Sequence, residues 1–295
     1  MIQEKQVRLG HIDFINCLPL AYGLRQGGLG QGLDIVAGPP SMLNQLILEG
    51  QLDVSPVSSI IYANNCDKFL ILPDVSISAN GFLQSILLVS KRPINELKGA
   101  RVALTAKSAT SHTLLKIIME NAYHVTPEYF VSSATRQTEA LTEAEAVLFI
   151  GDDALYTYHN QATGYYYYDM GQEWRKLTGQ AMVYALWVVR REFAAEQPGL
   201  LRTVYERVAG GFAHGLNNLL TAANTLDSKA PFNTEQITTY LQLLNYQLTP
   251  DQQAALVTYY KLAYGLRLIE HVPSLNFADV GVRSAERDVA ERSYE

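Results

Sequence analysis

Gly10-His11-Ile12-Asp13-Phe14-Ile15-Asn16-Cys17-Leu18-Pro19-Leu20 is the stretch that decides how this chain folds. An apolar strand, 6–10, leads into it, and a helix starts near Pro19. A strand that ends in a polar turn and feeds a helix N-terminus is the ligand-binding corner of α/β folds. The first N–H groups of such a helix lack partners and carry partial positive charge. Asn16 stands just ahead of the helix with both a donor and an acceptor. It either caps the helix or meets a ligand, and this stretch leaves both open.

On either side, strands and helices alternate. Strands are expected over 33–37, 52–59, 69–72, 75–78, 84–90, 101–105, 128–131, 146–150, 165–168 and 184–190. Helical spacing covers 42–49, 112–121, 135–141, 234–244 and 250–268, and also 193–226 with a break at Pro198-Gly199. Ser41 and Thr249 are candidate caps, and Gly50 is a helix stop. The charged tail beyond Val280 is expected to fray.

Repeated βα units predict mainly parallel sheets with ligands at the strand C-terminal ends. The polar link 91–99 and the strand 184–190 read as crossovers between two such sheets. The expected fold is therefore α/β and periplasmic-binding-protein-like (type II): two lobes on a two-stranded hinge, with a ligand cleft between them. Lobe 1 takes 1–90 plus 188–295, and lobe 2 takes 91–187.

Composition narrows the function classes. The chain has 295 residues, 48% of them hydrophobic and 18% charged, enough for a substantial buried core. Its net charge of −6, with no basic run, lacks the footprint of a nucleic-acid binder. No apolar run approaches a membrane span, and the first residues do not read as a signal segment. No membrane partner and a cytoplasmic location are expected, and a homodimer is left open. Two cysteines suit a reducing compartment, and Cys17 reads as packing rather than as a nucleophile. No dinucleotide fingerprint, phosphate loop, nucleophile elbow or zinc spacing is found, so no cofactor and no metal are expected.

Five polar clusters fall at strand ends or at the first crossover. They are Asn16, the Ser55–Ser59 run with Ser58 and Ser59, Ser85, the Ser108–Ser111 run with Thr110, and Gly151-Asp152-Asp153. In a two-lobe fold all five can face one cleft. Small hydroxyls and amides with few charges suit an anion with several oxygens, held by O–H and N–H donors. Each cluster also has a plain alternative, since serine, threonine and aspartate cap helices or favour their first turn. His11 and His112 are acid–base candidates, or else ordinary polar lining.

The motifs Ile12–Leu20, Leu48–Ser59, Leu72–Gly81 and Gln84–Leu88 resemble those of the chorismate dehydratases of menaquinone biosynthesis. Thr105, Ser108–Ser111, Gly151–Ala154 and Ala185–Val188 continue the resemblance, which spans 7–192. It implies a cofactor-free hydro-lyase of the futalosine route, turning chorismate into 3-[(1-carboxyvinyl)oxy]benzoate. It also implies the two-lobe fold. The family's substrate-contacting residues fall on Asn16 and Ser85, taken as catalytic, and its hydroxyl loop on Ser108, Thr110 and Ser111. Ser58, Ser59, Gly151 and Asp152 complete the expected substrate-binding set. His11 and Phe82-Leu83 depart from the family pattern. Because Asn, Ser and Thr are poor bases, the substrate's own enolpyruvyl carboxylate is the expected base. Two alternatives stand beside this expectation: a non-catalytic small-anion solute-binding protein, and the sister enzyme 1,4-dihydroxy-6-naphthoate synthase, which is expected to use a histidine.

Overall fold

The computed structural model describes residues 6–226 and 231–281. The charged tail expected to fray lies, past Gly281, outside the described residues. The first part of the chain runs β1 (Val7–Ile12), α1 (Leu18–Gln26), β2 (Leu33–Gly38), α2 (Pro40–Leu48), β3 (Val54–Ser58), α3 (Ser59–Asn64) and β4 (Phe69–Ala79). It continues through β5 (Ile86–Ser90), β6 (Arg101–Thr105), α4 (Thr110–Asn121), β7 (Glu128–Ser132), α5 (Gln137–Glu143), β8 (Ala146–Ile150), α6 (Gly151–His159), β9 (Tyr166–Asp169) and α7 (Met170–Thr178). It then returns through β10 (Met182–Arg190), α8 (Arg191–Glu196), α9 (Pro198–Asn217), α10 (Leu219–Asn224), α11 (Thr234–Gln242), β11 (Leu244–Asn245) and α12 (Pro250–Gly265).

These strands form two sheets, ordered β11-β4-β10-β3-β1-β2 and β7-β6-β8-β5-β9. Each has a parallel trio, β2-β1-β3 and β7-β6-β8, as repeated βα units require. The remaining pairings are antiparallel, against the expectation of mainly parallel sheets. The strand after each crossover, β5 or β10, enters its sheet from the opposite end and runs antiparallel to both neighbours.

Sheet membership also moves the lobe boundaries. Ile86–Ser90 belongs to the second sheet and Met182–Arg190 to the first. The chain therefore crosses over residues 80–85 and returns over 179–181, rather than at 90/91 and 187/188. The link 91–99 is a turn inside the second lobe. Its Ile94 N–H donates to Tyr168 Oη of β9. The two crossings lie side by side, because Ala79 pairs with Met182. Asp169 ties them together: its Oδ2 accepts the N–H groups of Leu83 and Gln84, and its Oδ1 caps α7 at Gln172.

The expected strands 69–72 and 75–78 are one strand, β4, interrupted at Asp74, whose φ is +60°. Ser41 does not cap α2, since the helix opens on Pro40 with Pro39 at the cap position. Gly50 does follow the end of α2, at φ +73°. The buried core includes Trp174 and Trp187, and Trp187 packs edge-on against Phe212. Helix α1 lies close on α9. A Cβ on Gly23 would sit 2.0 Å from the Gly211 carbonyl oxygen, and one on Gly215 would sit 1.9 Å from that of Pro19. This contact fixes the helix that follows Asn16. No helix among the described residues is long and apolar enough to cross a membrane.

Candidate active site

A pocket with about 550 Å³ of empty space, part of it open to solvent, lies where the two lobes meet. Its polar wall is Asn16, Ser58, Ser85, Ser108, the Gly151 backbone and Tyr184. One member of each of the five strand-end clusters is therefore present. Phe14, Ile77, Leu83, Ile86 and Ile150 are among its apolar walls. Of the described residues that line it, none carries a carboxylate, an ammonium, a guanidinium or an imidazole. A larger depression of about 1340 Å³, walled by Asn64 and by residues between Tyr264 and His271, contains none of the clusters.

Each polar group has a local cause. Asn16 sits in a single 3-10 turn, Ile15–Cys17, ahead of α1. It makes no capping bond, and its buried Oδ1 has no partner among the described residues. Tyr246 Oη donates to the Asn16 carbonyl at 3.0 Å and so anchors the turn. Ser58 ends β3, and the Asn44 amide fixes it from α2: Ser58 N–H donates to Asn44 Oδ1, and Asn44 Nδ2 donates to Ser58 Oγ. Ser85 follows the crossover turn, where Gln84 has a φ of +68°. Its Oγ accepts from Tyr240 Oη at 2.9 Å. Ser108 Oγ lies 3.4 Å from the Ser111 N–H, a long bond at the start of α4.

At Gly151 the lobes are in close contact. It adopts φ +59°, donates its N–H to the Ser85 carbonyl, and faces the Phe14 ring. A Cβ there would stand 2.8 Å from that ring. Only glycine meets both conditions without strain.

Four expected site residues lie off the cavity wall. Ser59 Oγ donates to the Val183 carbonyl and lies 3.3 Å from Thr110 Oγ1. Thr110 Oγ1 also accepts the Ile60 N–H, joining the start of α4 in one lobe to α3 in the other. Tyr259 Oη donates to the Thr110 carbonyl from α12. Ser111 Oγ is buried without a partner among the described residues. Asp152 Oδ1 accepts the Ile15 N–H across the lobes at 3.1 Å, while Asp153 pairs with Lys107. Ser59, Thr110 and Asp152 thus stitch the lobes around the cavity.

The titratable groups nearby are tuned by burial. Asp152 is pushed up to about 6, because burial outweighs the Ile15 N–H it accepts. Burial likewise raises the Cys17 thiol, in keeping with a packing role. His11 is driven down to about 4 by burial, with Arg25 adding to the effect. His112 is lowered for the same first reason, and its Nε2 lies 2.7 Å from the Thr105 carbonyl oxygen. Neither histidine lines the cavity. No group of three or more His, Cys, Asp or Glu side chains is placed to hold a metal among the described residues.

Tyr184, Tyr240 and Asn44 have no signal in the sequence. Tyr184 is embedded in an apolar strand, and Tyr240 and Asn44 sit within helical repeats that read as core. Only the long-range fold turns them toward the site.

Residues 7–265 match the family described as menaquinone biosynthesis. The chain belongs to this family. Within and around it, the menaquinone-biosynthesis chain is 33% identical over 198 residues to a chorismate dehydratase of Thermus thermophilus, covering 62% of this chain and 70% of that one. It is 26% identical over 212 residues to the 1,4-dihydroxy-6-naphtoate synthase of the same organism, covering 71% and 74%. In shape it resembles the periplasmic aliphatic sulphonate binding protein of Escherichia coli, with a TM-score of 0.64 at 16% identity over 92% of this chain and 91% of that one. The expected periplasmic-binding-protein-like fold is thus borne out.

Proposed function

We propose that this protein is a chorismate dehydratase, a carbon–oxygen lyase that forms 3-[(1-carboxyvinyl)oxy]benzoate without a cofactor. The observation that carries this reading is the meeting of Asn16 and Ser85, from segments far apart in sequence, in one interlobe pocket whose described lining residues carry no formal charge. The likeness to the Thermus thermophilus dehydratase supports it.

Chorismate brings two carboxylates. The start of α3 carries Ser58, the start of α4 carries Ser108, and α6 opens on Gly151; these three meet at the cavity and favour anions there. Water loss needs a base for the C3 proton and help for the departing C4 hydroxyl. The wall offers no strong base, so the enolpyruvyl carboxylate removes the C3 proton. The C3–H electron pair becomes the C3–C4 double bond, the C4–O bond breaks, and the ring becomes aromatic. The proton lost from C3 balances the hydroxide lost from C4, giving water. Asn16 and Ser85 orient the ring and the leaving oxygen, and the apolar walls exclude solvent.

Incubation of the purified protein with chorismate tests this. A product lighter by one water, with a new aromatic absorbance, is expected. Tight binding without turnover would instead identify a solute-binding protein. Turnover of a cyclised futalosine derivative in place of chorismate would identify the naphthoate synthase. The described residues that line the cavity are hydroxyls, an amide and apolar groups, and His11 and His112 lie off it, which favours the dehydratase over that enzyme.

A further inference from the structure

The C-terminal helices carry no motif of their own, yet they reach back to the cavity. Tyr240, on α11, is 1% exposed and donates its hydroxyl to Ser85 Oγ at 2.9 Å. A phenol is a stronger acid than an aliphatic alcohol, and its lone pairs are drawn into the ring. In a phenol–serine pair the phenol therefore donates and the serine accepts. Burial also holds the phenol protonated.

The consequence falls on Ser85. Its hydroxyl has one proton to give. The bond from Tyr240 occupies its acceptor side, and no protein acceptor for its proton is found among the described residues. That proton is left for an oxygen inside the cavity. We propose that Tyr240 is a positioning residue that fixes Ser85 as a hydrogen-bond donor to the departing C4 oxygen of the substrate. The inference rests on the dehydratase reading above. Charge builds on that oxygen as the C4–O bond breaks, and a donor backed by a second donor meets it more strongly. Neither residue loses its proton: Tyr240 donates to Ser85, Ser85 donates to the departing oxygen, and the proton taken from C3 by the substrate's carboxylate completes the water.

Tyr240→Phe removes the phenol oxygen and keeps the ring. The expected result is a fall in kcat of about 10- to 50-fold, the size of one hydrogen bond to developing charge, with KM within about threefold. In a Ser85→Ala background the same substitution is expected to change kcat no further, because nothing remains to be oriented. An unchanged kcat in Y240F, or an equal loss in the Ser85→Ala background, would overturn the inference. Should Y240F fail to fold, 3-fluorotyrosine at position 240 keeps the ring and strengthens the donor. Its kcat is expected to match or exceed that of the wild type, and a tenfold fall would count against the proposal. If wild-type protein leaves chorismate unchanged, the dehydratase reading itself fails. Wild-type turnover with an unaffected Y240F sinks only this inference.

Discussion

The Asp152 carboxylate of one lobe accepts the backbone N–H of Ile15 in the other, at 3.1 Å. This bond sits one residue from Asn16 and one from Gly151, so it clamps two walls of the cavity together. Burial lifts the Asp152 pKa from 3.8 to about 6. The folded protein thus binds this proton more tightly than the unfolded chain, and stability falls as pH rises through that window. Above it, the ionised group costs on the order of 2–3 kcal/mol. Asp152→Asn keeps an oxygen for the Ile15 N–H and removes the charge. Thermal unfolding between pH 3.5 and 8 is expected to show the variant more stable at pH 7.5, with the two curves converging near pH 4. A variant less stable than wild type at pH 7.5 would refute this account.

Asn16 presents a buried oxygen with no partner among the described residues. Such a group costs stability in the empty protein and is useful only when a ligand meets it. Asn16→Ala is expected to lower kcat/KM by about 100-fold or more, while Tm stays level or rises by a few degrees. Ser85→Ala is expected to lose activity on the same scale. Near-wild-type turnover in both variants would remove them from the active site.

Thr110 serves the seam between the lobes rather than the cavity wall. Thr110→Val keeps the shape but leaves the Ile60 N–H without an acceptor, at a cost of about 1–3 kcal/mol. Faster hydrogen exchange at the Ile60 amide and a raised KM are expected, with kcat much less affected. A protein with unchanged exchange and unchanged KM would show that this bond does not hold the seam.

Removal of the C3 proton is the bond-breaking step assigned to the substrate's own carboxylate. Chorismate deuterated at C3 is expected to give a primary isotope effect on kcat. Because the described residues that line the cavity include no carboxylate, imidazole or ammonium, kcat is expected to be nearly flat between pH 6.5 and 9. A steep limb in that range would point to a protein base.

The local sequence carried much of the fold. Short apolar runs such as 86–90 and 146–150 are strands because both faces are buried, and their composition shows it. The Pro198-Gly199 break does separate two helices, α8 and α9. Asn16, Ser58, Ser85, Ser108 and Gly151 were legible as site candidates because small polar residues at strand ends stand out against apolar neighbours. Helix α7 was not legible, being short and following directly on β9.

Sequence alone therefore determined the βα alternation, the two-lobe plan and the polar residues available to a cleft, since these depend on periodicity and on breaks that act over a few residues. Tertiary structure alone decided the rest. It assigned β5 and β10 to their sheets, because a doubly buried strand reads the same in either lobe. It sorted Ser58 and Ser108 onto the cavity wall and Ser59, Thr110 and Asp152 into the seam, because neighbouring polar residues point to different sides. It also placed Tyr240 behind Ser85, a contact across 155 positions that no local pattern encodes.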